Sequence, residues 1–212
     1  MKNKTFFFLI LAMTLLLSSC IEITQHIRLE NNTIINNTRI VIQKALLTMA
    51  QSYGNDSDLS SLEFNDETIY QISEQIPKEN FVSIKNANNE LENGLEITVR
   101  YPRTKRPTVQ NDDVAPIFYP YLKDKTLVVD FNNISSTNID ENNQMVSAIL
   151  SGFKYRLFID SSVLSSPKKA TLYTKDEETT YTIPLINYSN FTLVEISMAY
   201  LLSGQSLRLV IE

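Results

Sequence analysis

The feature that most constrains the fold is a run of alternating apolar and polar residues that begins at Ile21. Apolar side chains take every second position up to residue 29, except that Gln25 occupies one of these positions. Such alternation predicts a strand that is buried on one face. Asn31-Asn32 is typical of a tight turn, and residues 33–42 have the pattern of a returning strand. The sequence therefore predicts a β-hairpin at this point.

Four later segments have features of helices. Asn65 or Asp66 can cap a helix that Pro77 ends, and residues 45–50 and 139–151 contain good helix formers. Residues 192–203 alternate like a strand but also fit a helical face, and Gly204 as a C-cap favours the helix. Asn93-Gly94 is interpreted as a turn. Further strands are expected at residues 81–85, 95–101, 117–122, 126–131, 155–159, 170–174, 180–185 and 206–211. The predicted class is α+β, with a largely antiparallel sheet and three or four helices.

Residues 1–20 have the pattern of a lipoprotein signal peptide. Lys2 and Lys4 precede an apolar run over residues 6–17 that is shorter than the roughly 20 residues needed to span a bilayer. Leu17-Ser18-Ser19-Cys20 then resembles the lipobox of bacterial lipoproteins, in which the cysteine sulfur is joined to diacylglycerol. The resemblance implies a signal peptide over residues 1–19, lipidation at Cys20 and attachment to the membrane by N-terminal acyl chains. The length and the pattern of elements predict a single α+β extracytoplasmic domain over residues 20–212.

Composition narrows the chemistry available to this domain. The chain has one cysteine and one histidine, so a disulfide within the chain, a cysteine-based zinc site and a two-histidine metal centre are excluded. Residues 20–212 contain 17 basic and 24 acidic side chains, a net charge of −7. This balance argues against broad nucleic-acid binding.

Few residues suggest catalysis. His26 falls on the polar face of the first strand and is interpreted as a solvated residue. The carboxylate pairs Asp112-Asp113, Asp140-Glu141 and Glu177-Glu178 are interpreted as solvated or as helix-terminal charges. The four glycines are far apart, so no phosphate-binding loop is present, and none of the common catalytic motifs occurs. We expect no catalytic residue, no metal site and no cofactor, and therefore a protein that is not an enzyme.

A basic run is the sharpest local feature of this acidic chain. Four cations fall within seven residues, between prolines: Arg100, Arg103, Lys105 and Arg106. They form a possible patch for an anionic partner, such as a lipid headgroup, a phosphorylated glycan or an acidic protein face. The alternative interpretation of the run is a solubilising loop.

The order of elements also resembles LppM-type envelope lipoproteins, in which a β-hairpin follows the lipidated cysteine, and the Asn-rich composition is similar to that of spirochaete lipoproteins. These resemblances imply a lipid-anchored protein of the bacterial cell envelope, on either side of either membrane. The leading hypothesis is a non-enzymatic binding or interaction protein with an envelope protein, lipid or glycan partner. The second is a carrier or sensor of apolar molecules, with a pocket beside residues 69–76 and 146–150. An envelope hydrolase is the third.

Overall fold

The computed structural model describes residues 21–45, 47–48, 64–107, 117–131, 153–174, 179–201 and 206–212. Twelve strands and two helices are defined within these ranges. The strands are β1 (Ile21–Glu30), β2 (Thr33–Gln43), β3 (Phe81–Asn86), β4 (Glu92–Pro102), β5 (Tyr121–Lys123), β6 (Thr126–Phe131), β7 (Lys154–Asp160), β8 (Ala170–Thr174), β9 (Thr180–Ile183), β10 (Leu185–Asn187), β11 (Phe191–Ser197) and β12 (Leu207–Ile211); the helices are α1 (Asp66–Gln75) and α2 (Met198–Leu201).

Seven of the strands form one large sheet, in the order β10-β11-β7-β1-β2-β4-β3. All neighbours in it are antiparallel except β1 and β7, which run parallel. The predicted hairpin is confirmed, because β1 and β2 pair from Ile21 opposite Ile42 to Glu30 opposite Thr33. Asn31 and Asn32 form the turn with φ values of 47° and 66°, the left-handed conformation that two-residue hairpin turns need.

The other five strands form a second sheet, in the order β5-β6-β12-β8-β9. Alternate residues of both sheets point into one shared apolar core, which includes Ile27 and Leu157 from the large sheet and Leu172 and Leu209 from the small one. Phe131 of the small sheet meets Tyr155 of the large sheet edge to face, with ring centroids 5.3 Å apart. The two sheets therefore pack in a sandwich-like arrangement.

The α+β prediction is wrong: in the described residues the fold is mostly β, with two helices and two sheets. The first half of the segment predicted as a helix over residues 192–203 belongs to β11, which pairs with β7 from Phe191 opposite Asp160 to Ser197 opposite Lys154. Alternate burial of Val194 and Ile196 therefore outweighs the helical pattern, and helix α2 is confined to Met198–Leu201. The expected helix at residues 139–151 and half of the one at residues 45–50 lie outside the described residues, whereas Ala45, Leu47 and Thr48 have helical backbone conformation.

Helix α1 agrees with its prediction. Asn65 is its N-cap, and the backbone N–H of Thr68 donates to Asn65 Oδ1 at 2.9 Å. Ile72 and Ile76 are buried in the core, and Pro77 follows the C-cap. The helix and the turn after it therefore lie against the end of the large sheet where β3 begins.

Candidate functional site

The two ends of the large sheet differ in what they present. Ile21 begins β1 at one end, and strand β1 is ten residues long, so Glu30 lies about 30 Å away at the other end. At that second end Thr33 pairs with Pro102 of β4. We call it the distal end and define it as residues 30–33 and 100–107.

All four residues of the predicted basic patch lie at the distal end. Arg100 is exposed on β4, opposite Ile35 of β2. The backbone N–H of Arg103 donates to the carbonyl of Asn32 at 3.3 Å, and its own carbonyl accepts from the N–H of Leu122 at 2.6 Å. Lys105 is exposed and Arg106 is partly buried. The segment after β4 is therefore fixed to the β1–β2 turn and to β5, so the four cations share one end of the fold.

Two clefts at the distal end contain parts of this patch. The larger, with a volume of about 670 Å³, includes Lys105 and Arg106 in its wall. The second, of about 480 Å³, includes Arg100. Tyr101 and Pro102 contribute to both clefts and thus form the ridge between them. Three of the four cations of the basic run are therefore divided over two neighbouring concave surfaces.

The larger cleft combines charges of both signs with an apolar lining. Lys78 adds a third cation, and Glu74 and Glu79 add two carboxylates; its apolar lining comes from Ile76, Pro77, Tyr101, Pro102 and Pro107. The end of helix α1 and the turn after it supply one wall, and the end of β4 supplies the other. The volume of this cleft lies in the range of small-ligand sites, and its lining is more charged than is usual for them.

Asn80 and Tyr101 hold these walls in place. Asn80 donates through Nδ2 to the carbonyl of Arg100 at 2.9 Å, and its own carbonyl accepts from the N–H of Arg100 at 2.8 Å. The hydroxyl of Tyr101 donates to the carbonyl of Pro120 at 2.8 Å. Burial raises the pKa of Tyr101 well above its ordinary value, so this phenol stays neutral and keeps its proton for that bond.

The sequence did not reveal a buried polar cluster between the two sheets. Gln25 donates through Nε2 to the carbonyl of Phe118 at 2.7 Å and to Thr38 Oγ1 at 3.0 Å, and Asn36 donates through Nδ2 to the same carbonyl at 2.9 Å. Tyr155 donates its hydroxyl to Gln25 Oε1. Gln25 and Asn36 thus both satisfy the backbone carbonyl of Phe118. This residue lies in the segment 117–120, which was predicted as part of a strand but precedes β5. The polar residue at position 25, in an otherwise apolar register, was the available signal.

The outer face of the large sheet is polar in its central part. Arg156 bonds Glu22 at 2.8 Å and Glu195 at 2.9 Å, and Lys154 bonds Glu195 at 2.6 Å. Burial acts to raise the pKa values of Glu22 and Glu195. Hydrogen bonds from Thr24 and Arg156 nevertheless lower the pKa of Glu22 below its ordinary value, and hydrogen bonds from Lys154 and Arg156 do the same for Glu195. This ladder of charges fixes the register across β1, β7 and β11.

His26 lies on this outer face, exposed as predicted, at the border of a group of aromatic rings. Its ring is edge-on to that of Phe158, with the ring centroids 6.4 Å apart. The ring of Phe158 in turn packs against that of Phe191, with the centroids 5.6 Å apart. Hydrogen bonds from Ser162, together with the charges of His26 and Arg28, lower the pKa of the neighbouring Asp160. The surroundings of His26 are thus those of a sheet surface.

Several predicted features lie outside the described residues: Cys20 and the signal peptide, all three carboxylate pairs, and residues 146–150 of the expected apolar pocket. Within the described ranges, no group of three or more His, Cys, Asp or Glu side chains is placed to hold a metal ion. The helices in the part of the chain that is described are too short or too polar to cross a membrane.

Comparison of the chain with protein-family models, with curated proteins and with solved structures gives no match. The resemblance to bacterial envelope lipoproteins therefore stays an expectation from residues 1–20.

Proposed function

We propose that the protein is a non-enzymatic lipoprotein of the bacterial cell envelope that binds an anionic partner at its distal end. Acyl chains on Cys20 would anchor the domain directly beside the start of β1. The observation that carries the proposal is the separation of about 30 Å between Ile21 and the basic end of the same sheet. The anchor and the cationic surface occupy opposite ends of a rigid hairpin.

This separation bears on the nature of the partner. β1 begins one residue after Cys20, so little chain is available to turn the domain over. A Debye length is about 8 Å at physiological ionic strength, so headgroups of the anchoring membrane exert little force on cations about 30 Å away. A partner in the aqueous space, such as an acidic protein face or a phosphorylated glycan, fits this arrangement better than the lipids beside the anchor.

Two measurements test the proposal. Metabolic labelling with a palmitate analogue should mark the protein, and Cys20→Ala should abolish the label. Binding of the purified protein to soluble polyglutamate and polyphosphate should weaken when Arg100, Arg103, Lys105 and Arg106 are all changed to Gln.

A matched variant controls for net charge. Changing Lys44, Lys85, Lys168 and Lys169 to Gln removes the same charge from exposed positions elsewhere, and we expect it to leave most of the binding intact. Equal weakening in the two variants, or a protein that is secreted without label, would overturn the proposal.

A further inference from the structure

One atom in the larger cleft lacks the partner that its chemistry requires. Gln75 lines the cleft at the end of helix α1, and its Oε1 atom is buried without a hydrogen-bond donor in the described structure. Buried polar atoms are nearly always hydrogen-bonded, because an unpaired one loses its contact with water and gains nothing in return. Since Gln75 lines the cleft, an N–H group of a ligand bound there is a donor that this oxygen lacks.

The charges of the same cleft define the rest of the ligand. Lys105 and Arg106 lie on one wall and favour a carboxylate. On the other wall Glu74 and Glu79 outnumber Lys78, so this wall favours N–H or ammonium groups. Inside this cleft a purely anionic ligand would meet repulsion from the two glutamates, whereas a polyanion that lies along the exposed basic run can stay outside the cleft. A molecule with both signs of charge and amide donors matches the wall better.

We propose that the larger cleft binds the C-terminal end of a short peptide. Its terminal carboxylate lies against Lys105 and Arg106, and a backbone N–H donates to Oε1 of Gln75. Pro77, Pro102 and Pro107 provide rigid apolar surface for the peptide side chains. The volume of about 670 Å³ falls in the ordinary range for small ligands and accommodates a few residues. This inference rests on the proposed function, since it names the class of partner for the same distal end.

The test uses the purified full-length chain in detergent micelles and two equimolar mixtures of tetrapeptides. One mixture has free C-terminal carboxylates and the other has C-terminal amides. Retention of each mixture by the immobilised protein is measured by mass spectrometry. We expect the free carboxylates to be retained about tenfold better, as for a hydrogen bond to a charged group.

Two variants separate the contacts. Lys105→Gln with Arg106→Gln should bring the ratio of the two mixtures close to one, whereas the control Lys44→Gln with Lys85→Gln should leave it unchanged. Gln75→Leu should lower retention of both mixtures and preserve their ratio. Because Gln75→Leu removes an unsatisfied buried oxygen, we expect its melting temperature to equal or exceed that of the unchanged protein. A loss of peptide retention in this variant would then not be caused by unfolding.

Equal retention of carboxylates and amides would overturn the inference, as would a preference that survives Lys105→Gln with Arg106→Gln. Preferential retention of a phosphorylated disaccharide over the peptides would overturn it in favour of a glycan partner. If the peptide test fails but polyglutamate and polyphosphate still bind through the basic run, only this inference fails and the proposed function stands. If they do not, the proposed function fails.

Discussion

The hydroxyl of Tyr155 on β7 donates a hydrogen bond to Oε1 of Gln25 on β1, in the interior between the two sheets. Both side chains are fully buried, and burial raises the pKa of Tyr155 well above its ordinary value, so the donor stays protonated. Nε2 of the same glutamine bonds the carbonyl of Phe118. Gln25 therefore joins the large sheet to the segment that leads into the small one.

Replacing Gln25 with Leu should be more damaging than removing the hydroxyl of Tyr155. Gln25→Leu leaves the Tyr155 hydroxyl without its acceptor and removes a donor from the Phe118 carbonyl, so we expect a loss of about 2–4 kcal/mol in the free energy of unfolding. Tyr155→Phe should lose about 1–2 kcal/mol. Urea denaturation of both variants and of the double variant checks this. Strictly additive losses would show that the two residues do not act as one network.

The Asn31-Asn32 turn should tolerate glycine and reject β-branched residues. Both positions have positive φ, which a β-branched side chain adopts at a cost of roughly 1–2 kcal/mol per residue. Asn32→Val should therefore lower the free energy of unfolding by about that amount, whereas Asn32→Gly should leave it nearly unchanged. Thermal melting of the two variants gives the comparison. Equal melting temperatures would contradict the turn geometry.

Gly94→Ala should destabilise the large sheet. A Cβ atom at Gly94 would lie 2.5 Å from the carbonyl oxygen of Ile40 and 2.6 Å from Cγ1 of Val41, so β2 would have to shift. We expect a loss of about 2 kcal/mol in the free energy of unfolding, measured by urea denaturation, as for other overpacked sites. A variant as stable as the unchanged protein would mean that the two strands are not so close.

The free energy of unfolding should fall on acidification, because the ion pairs of Arg156 with Glu22 and Glu195 are lost when the carboxyl groups become protonated. The pKa values of Glu22 and Glu195 are lowered by folding from an ordinary 4.5, so the unfolded chain binds more protons than the folded one in this range. Their contribution is complete above about pH 5 and is lost as the pH falls through the lowered pKa values. Arg156→Met should lose roughly 1 kcal/mol at neutral pH.

The pH dependence supplies the control for this prediction. The difference between Arg156→Met and the unchanged protein should shrink towards zero as the pH falls through the lowered pKa values, because the carboxyl groups then become protonated in both proteins. Urea denaturation at a series of pH values measures it. A difference that is constant with pH would show that Arg156 acts through packing of its aliphatic part.

Local patterns predicted local structure. The β1–β2 hairpin and the cap of α1 depend on residues close in the chain, and both were found from the sequence. The helix expected at residues 192–203 was wrong for residues 192–197, because their strand conformation depends on pairing with β7, and right for Met198–Leu201. Asn93-Gly94 was interpreted as a turn, but it lies inside β4. The glycine is needed there because Val41 of β2 approaches it closely, and this contact leaves no signal in the local sequence. The parallel pairing of β1 with β7 spans more than a hundred residues and left no local signal.

The candidate site was predictable in part for the same reason. The density of cations in an acidic chain identified Arg100, Arg103, Lys105 and Arg106. The cleft itself requires the end of α1 to lie against the end of β4, so Gln75 and Glu79 had no signal in the sequence. The distance of the patch from Ile21 likewise follows only from the strand pairing.

The proposal that the cationic end faces away from the membrane is tested most directly by measuring the distance of the distal end from the membrane surface. Lys44 lies beside the start of β1, because Ile42 pairs with Ile21, and Lys105 lies at the distal end. The acylated protein has no other free thiol if Cys20 is lipidated, so Lys44→Cys and Lys105→Cys can each carry one fluorophore. Energy transfer to an acceptor on the lipid headgroups of vesicles should be strong from position 44 and weak from position 105. Equal transfer from the two positions would contradict the proposal that the cationic end faces away from the membrane.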